Sequence, residues 1–110
     1  MSVSIVVKGE VVTAYLSGEI DHHTAAEMRT QIDNSIEEYK PTLLVLDFKN
    51  VSFMDSSGIG LVMGRYKAIS EFDGELAIIN TSPGIGKVMR LAGMERLAKI
   101  GMEELVNETN

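Results

Sequence analysis

The chain has no cysteine. That absence removes disulfides, thiolate metal sites and a cysteine nucleophile together. It also has no long apolar run. The longest, such as Leu43 to Leu46, span a few residues, whereas a transmembrane helix needs about twenty. The opening MSVSIVVKGE lacks the basic region, apolar core and cleavage site of a secretory signal, so a cytoplasmic protein is expected. Basic residues are in deficit, ten against sixteen acidic ones, for a formal charge of −6. Nucleic-acid affinity rests largely on neutralising phosphates. An acidic chain without a basic run is therefore expected to bind neither nucleic acid nor membrane. No low-complexity segment, internal repeat or long linker divides the chain, and 110 residues suit one domain, 1–110.

What is present reads as alternating strands and helices. Val3 to Lys8 and Val11 to Ser17 are β-branched and apolar, and Lys8-Gly9-Glu10 turns one into the other. Gly18 is expected to close the second strand. Thr24-Ala25-Ala26-Glu27 fits a capping box, with Thr24 as N-cap. Ala25, Met28, Ile32, Ile36 and Tyr39 then recur at helical spacing until Pro41. Leu43 to Phe48 suits a central strand. Ser57 to Ser70 reads as a second helix, with Ile59, Val62, Met63, Tyr66 and Ile69 inward and Leu61, Gly64, Arg65 and Ala68 outward. Glu75 to Asn80 is a further strand. Ser82-Pro83 starts a helix running to Ala92, with Gly93 as its left-handed stop. Leu97 to Ile100 is a last short strand, and Met102 to Val106 a terminal helical turn or two.

This order predicts an α/β fold. The sheet is mixed and mostly parallel, with four or five strands, an N-terminal antiparallel hairpin and helices mainly on one face. Sites in such sheets form beyond the strand C-termini. Three loops fall there: Gly18–Thr24, Val51–Gly58 and Asn80–Pro83.

Nucleotide motifs fail on spacing. Gly58-x-Gly60-x-x-x-Gly64 has Met63 where a dinucleotide fingerprint needs glycine. Gly84-x-Gly86-Lys87 fails as a phosphate loop, because residue 81 is Thr and residue 88 is Val. No cofactor is expected. His22 and His23 are adjacent, so on a helix they point about 100° apart and do not converge on a metal. They read as a polar helix start or as a contact surface. Ser56, a histidine and Asp21 or Asp55 could form a nucleophile, base and orienter on paper. The glycine-x-serine-x-glycine elbow is absent, however, since Met54 and Gly58 flank Ser56 at two residues.

FMDSSGIG, followed by LVMGRYK, resembles the signature of the bacterial anti-sigma factor antagonists, whose fold is the STAS domain (sulphate transporter and anti-sigma antagonist). SGEIDHHTA at 17–25 resembles the family's loop and helix start, and SPGIGKVMRLAGM at 82–94 its third helix and glycine stop. The resemblance covers nearly the whole chain. DHHTA with GRYK tilts toward the sporulation branch, the anti-sigma-F factor antagonists, over the general-stress branch. The Gly84-Ile85-Gly86 segment is richer in glycine than the family pattern. The resemblance implies a regulatory substrate rather than an enzyme. It places the phosphorylated residue at Ser56. Its implied partners are a serine kinase that holds a sigma factor inactive, bound to ADP or ATP, and a PP2C-like serine phosphatase. The expected partner-binding residues are Asp21, His22, His23, Asp55, Ser57, Gly58, Leu61, Gly64 and Arg65. The rival readings are a general-stress antagonist, an unphosphorylated STAS scaffold and, last, a small serine hydrolase.

Overall fold

The computed structural model describes residues 2–100. Strands β1 (Val3–Lys8) and β2 (Val11–Ile20) form the antiparallel hairpin, in register from Val3↔Leu16 to Lys8↔Val11. Gly9 takes the left-handed conformation that the tight turn needs (φ 58°). There follow α1 (His22–Tyr39), β3 (Leu43–Met54), α2 (Ser56–Ser70), β4 (Glu75–Ile79), α3 (Pro83–Leu91), a 3-10 turn (Met94–Arg96) and β5 (Lys99–Ile100). The five strands lie in sequence order, and every pair after the first is parallel. The expected terminal helix at Met102 to Val106 lies outside the described residues.

Strand periodicity sorts the side chains. Val12, Ala14 and Leu16 of β2, Leu44, Leu46 and Phe48 of β3, and Leu76 and Ile78 of β4 share one face. Met28, Ile32 and Ile36 of α1, Val62 and Ile69 of α2, and Met89 of α3 cover that face. The expected one-sided helical layer is thus observed. Val11, Leu43, Val45, Ala77 and Ile79 form a second buried cluster on the opposite face, which makes β3 apolar on both sides. Among the described residues no helix is long and apolar enough to cross a membrane.

Several boundaries differ from expectation, each for a local reason. Gly18 does not end β2. It sits at φ 84° inside a strand that runs on to Ile20, where the pairing with β3 slips between Tyr15 and Ser17 and again between Gly18 and Glu19. The glycine serves a bulge within the strand rather than its end. β3 likewise continues past Phe48 to Met54. The Asp47 carboxylate accepts from the Lys49 amide at 2.8 Å, and Val51 returns to the core. β5 is shorter than Leu97–Ile100. The Leu97 and Ala98 amides still donate to the Met94 carbonyl in the preceding turn. Gly93 is left-handed as expected (φ 80°), with its amide on the Arg90 carbonyl. α1 ends at Tyr39 through a left-handed Lys40 just before Pro41.

Candidate functional site

The extended ends of β2 and β3 set the site. Ile20 pairs with Met54 as the last rung, and the Asp55 amide donates to the Ile20 carbonyl at 3.0 Å. A single aspartate separates each strand from a helix: Asp21 before α1 and Asp55 before α2. The two helix N-termini therefore begin side by side at the carboxyl edge of the sheet.

Asp21, not Thr24, is the N-cap of α1. Its Oδ1 accepts from the His23 and Thr24 amides, both at 2.9 Å, while its own amide donates to Thr24 Oγ1 at 3.0 Å. This is a reciprocal capping box closed by threonine rather than by Glu27. Thr24 Oγ1 also donates to the Glu19 carbonyl at 2.7 Å. The Thr24 amide, with help from the His23 amide, holds the Asp21 carboxyl below its ordinary range.

At α2, Asp55 is the cap, and its Oδ1 accepts from the Ser57 amide at 2.8 Å. The Gly58 amide donates to the Asp55 carbonyl at 3.0 Å. The helix accordingly starts one residue earlier than expected, with Ser56 at its first position. Capping, the ordinary use of a serine at such a joint, is done by Asp55. Ser56 is exposed, and its hydroxyl has no hydrogen bond among the described residues. Ser57 is half-buried, with its amide committed to Asp55.

The other candidate residues separate into two groups. His22 and His23 are exposed at the head of α1. No group of metal-binding side chains occurs among the described residues, and no hydrogen bond there joins Ser56 to either histidine. Gly58 is buried, and a Cβ there would overlap the Met54 side chain. Leu61 and Arg65 are the main correction. Expected on the outer face, they are 4 % and 5 % exposed and face α1, while Met63, expected inside, is 42 % exposed. The buried set Gly58, Leu61, Val62, Arg65 and Ile69 has proper helical spacing. The charge of Arg65 hid it. Gly64 keeps its half-exposed position, with open space around the site of a Cβ. Ala68 is half-buried against the core rather than outward.

Between the two helix heads lies a groove of about 380 Å³. His22, Ala25 and Arg29 of α1 line one wall, and Ser57, Gly60 and Arg65 of α2 the other. Arg65 Nε lies 2.8 Å from Asp33 Oδ1. Desolvation holds the Arg65 pKa below its ordinary value and raises that of Asp33. Their mutual attraction opposes both shifts. A larger cavity of about 490 Å³, flanked by Tyr66, Glu75, Arg90 and Arg96, shares no residue with this site. Arg29 and Gly60, which line this groove, and the exposed Phe53 and Met63 were not among the expected site residues. Phe53 is 52 % exposed, three residues before Ser56. Correct phasing of α2 would have found Gly60 and Met63. No sequence signal marks Arg29, which enters only through the packing of α1 on α2.

Comparison with known proteins agrees with this fold. The STAS domain model matches residues 2–105. An anti-sigma F factor antagonist of Paenibacillus polymyxa is 39 % identical over 90 residues, covering 82 % of this chain and 77 % of its own. An anti-sigma-B factor antagonist of Staphylococcus aureus is 32 % identical over 85 residues, covering 77 % and 78 %. Among solved structures, the anti-sigma factor antagonist SpoIIAA in its unphosphorylated form superposes with a TM-score of 0.82 at 30 % identity, covering 97 % of this chain and 95 % of that one. The Bacillus cell fate determinant SpoIIAA in its phosphorylated form gives 0.76 at 32 % identity, covering 98 % and 99 %. With this fold, this family model and these relatives, the chain belongs to the STAS domain family, among the anti-sigma factor antagonists.

Proposed function

We propose that this protein is a cytoplasmic partner-switching antagonist whose state is written on Ser56. Unphosphorylated, it docks on a serine kinase that sequesters a sigma factor, and sigma is released. The kinase transfers the γ-phosphoryl group of ATP to the Ser56 hydroxyl, giving ADP and a phosphoserine that leaves the complex. A PP2C-like phosphatase hydrolyses the ester and restores the hydroxyl. The protein is the substrate of both reactions and catalyses neither.

The observation that carries this reading is the division of labour between Asp55 and Ser56. Asp55 caps α2, so the Ser56 hydroxyl is exposed and unengaged at the first helical position. Positive helix-dipole charge favours an anion there. A phosphate adds about −1.5 to −2 charge, beside an Asp55 that is already negative. The owner can tolerate this in solvent, and a docked surface shaped for a neutral hydroxyl cannot. That SpoIIAA has been solved in both phosphorylated and unphosphorylated forms supports a modification cycle in a relative of the same fold. The higher identity to an anti-sigma F antagonist than to an anti-sigma-B antagonist favours the sporulation type.

Incubation with the cognate kinase and ATP, followed by mass spectrometry, tests the assignment. One phosphate is expected, on Ser56, and none on Ser56→Ala. A phosphate on Ser57 of the wild type would overturn it.

A further inference from the structure

The groove between the heads of α1 and α2 is basic, on a chain whose net charge is −6. Arg29 is exposed at its rim. Arg65 lies at its floor, 5 % exposed, and no hydrogen-bond acceptor among the described residues meets its Nη1. Arg29 acts electrostatically on both Arg65 and Asp33. Two guanidinium groups thus share one carboxylate and leave one positive charge uncompensated. None of the other acids nearby lines the groove. Glu37 acts on Asp33 from the next turn of α1, and the carboxylates of Asp21 and Asp55 are engaged by the amides of their own helices. Ala25, Ala26 and Gly60 keep the walls low.

We propose that this groove receives an acidic side chain, an aspartate or glutamate, projected by the kinase partner, with Arg29 as the cation that meets it at the rim. This deepens the partner-switching reading and rests on it for the identity of the partner. Charge complementarity selects the occupant. Most of this acidic surface repels a carboxylate, so a basic groove beside the modified residue gives both attraction and register. Arg65 is held by burial and by Asp33, so its charge needs no ordering on association. The same placement explains release. Ser57 lines the groove and Ser56 adjoins it, so a phosphate on Ser56 sets negative charge at the mouth through which the carboxylate enters.

The test is calorimetric affinity for the kinase in ADP, at low and moderate salt. A Ser56→Ala background excludes phosphorylation during the measurement. Arg29→Glu is compared with Lys8→Glu, which makes the same charge change on an exposed residue at the opposite end of the sheet. Arg29→Glu is expected to weaken binding about tenfold or more and to flatten its salt dependence. Lys8→Glu should change affinity by no more than about twofold. Thermal melting checks that both variants fold. Equal effects of the two substitutions, or none from Arg29→Glu, would overturn the inference while leaving the partner intact. Absence of kinase binding by the unsubstituted chain would instead strike the partner-switching reading. Titration with inorganic phosphate, read by amide shifts along His22–Arg29, provides a second check. Saturable binding there would assign the groove to a free anion and remove the carboxylate.

Discussion

Arg65 Nε and Asp33 Oδ1 stand 2.8 Å apart between α1 and α2, yet neither atom makes a properly directed hydrogen bond. The contact is Coulombic. It is also lopsided, because the arginine side chain is 6 % exposed and the aspartate side chain 38 %.

This asymmetry predicts small costs on both sides. Asp33→Ala leaves a buried guanidinium without its counter-charge. It should cost at most about 1 kcal/mol, well below the roughly 3–5 of a wholly buried pair, because solvent screens Asp33 and desolvation already penalises its charge. Arg65→Met removes the buried charge and keeps most of the volume, so its cost should stay under about 1 kcal/mol. Urea unfolding of both variants measures the two costs. Arg65→Met proving the costlier of the two would show that the pair stabilises the helix contact.

The aspartate that caps α1 and the one within it should have pKa values shifted in opposite directions. The Thr24 amide depresses the Asp21 pKa. Asp21 therefore contributes stability above its unfolded pKa, near 4, and loses it as pH falls through the lower folded value. Desolvation raises Asp33 despite Arg65 and Arg29, so its charge costs stability at neutral pH and that cost fades on acidification. Carboxyl carbon titration by NMR should place Asp21 below Asp33. Asp21→Asn keeps a good cap but no titrating charge. Its deficit relative to the wild type should shrink between about pH 6 and pH 3. A constant deficit would mean that the amides do not favour the charged form of Asp21.

How much of this was legible in the sequence depended on whether local chemistry and global packing agreed. Strand order, the hairpin and the three described helices were readable because apolar alternation, Gly9 and Pro41 all point the same way. The MDSSG joint was readable because a strand, an aspartate and a small-residue helix start meet there. Gly18 was misread, since a bulge and a stop place the same residue at the same dihedral angles. The capping of α1 was misread because Asp21 and Thr24 both qualify, and only the extended β2 chooses between them. The face of α2 was misread because an arginine seldom goes inside, and its counter-ion lies thirty-two positions earlier on another helix.

Phosphorylation should leave the fold nearly unchanged. The helix terminus attracts the phosphate, but Asp55 already occupies the Ser57 amide and repels it. The two effects are each on the order of 0.5–1 kcal/mol and opposed, so the melting temperature should shift by only a few degrees, while kinase affinity falls strongly. Asp55→Asn should make the phosphorylated form relatively more stable. Loss of helical circular dichroism on phosphorylation would point to unfolding as the switch.

Three glycines of α2 should respond to alanine in different ways. At Gly58 a Cβ would overlap Met54, so packing strain of about 1–3 kcal/mol outweighs the propensity gain of up to about 1 kcal/mol, and stability should fall. At Gly60 and Gly64 nothing lies within 4 Å of the Cβ position. Gly60→Ala and Gly64→Ala should each raise stability by about 0.5–1 kcal/mol. Folding gives no reason for either glycine, so their use lies in what approaches the surface. Exposed Gly60 and Met63 continue along α2 from Ser56, with Phe53 at the strand end behind it. A kinase that reaches Ser56 must cover this stripe. Added methyl groups should hold it off, so affinity falls as the isolated domain becomes more stable. A folding defect lowers both quantities together, which makes the opposed signs diagnostic. Thermal melts paired with calorimetric titration against the kinase in ADP decide the matter. If both alanine variants bind as tightly as the wild type, the outer stripe of α2 is not the docking face. If they melt lower, the space beside Gly60 and Gly64 is not open in solution.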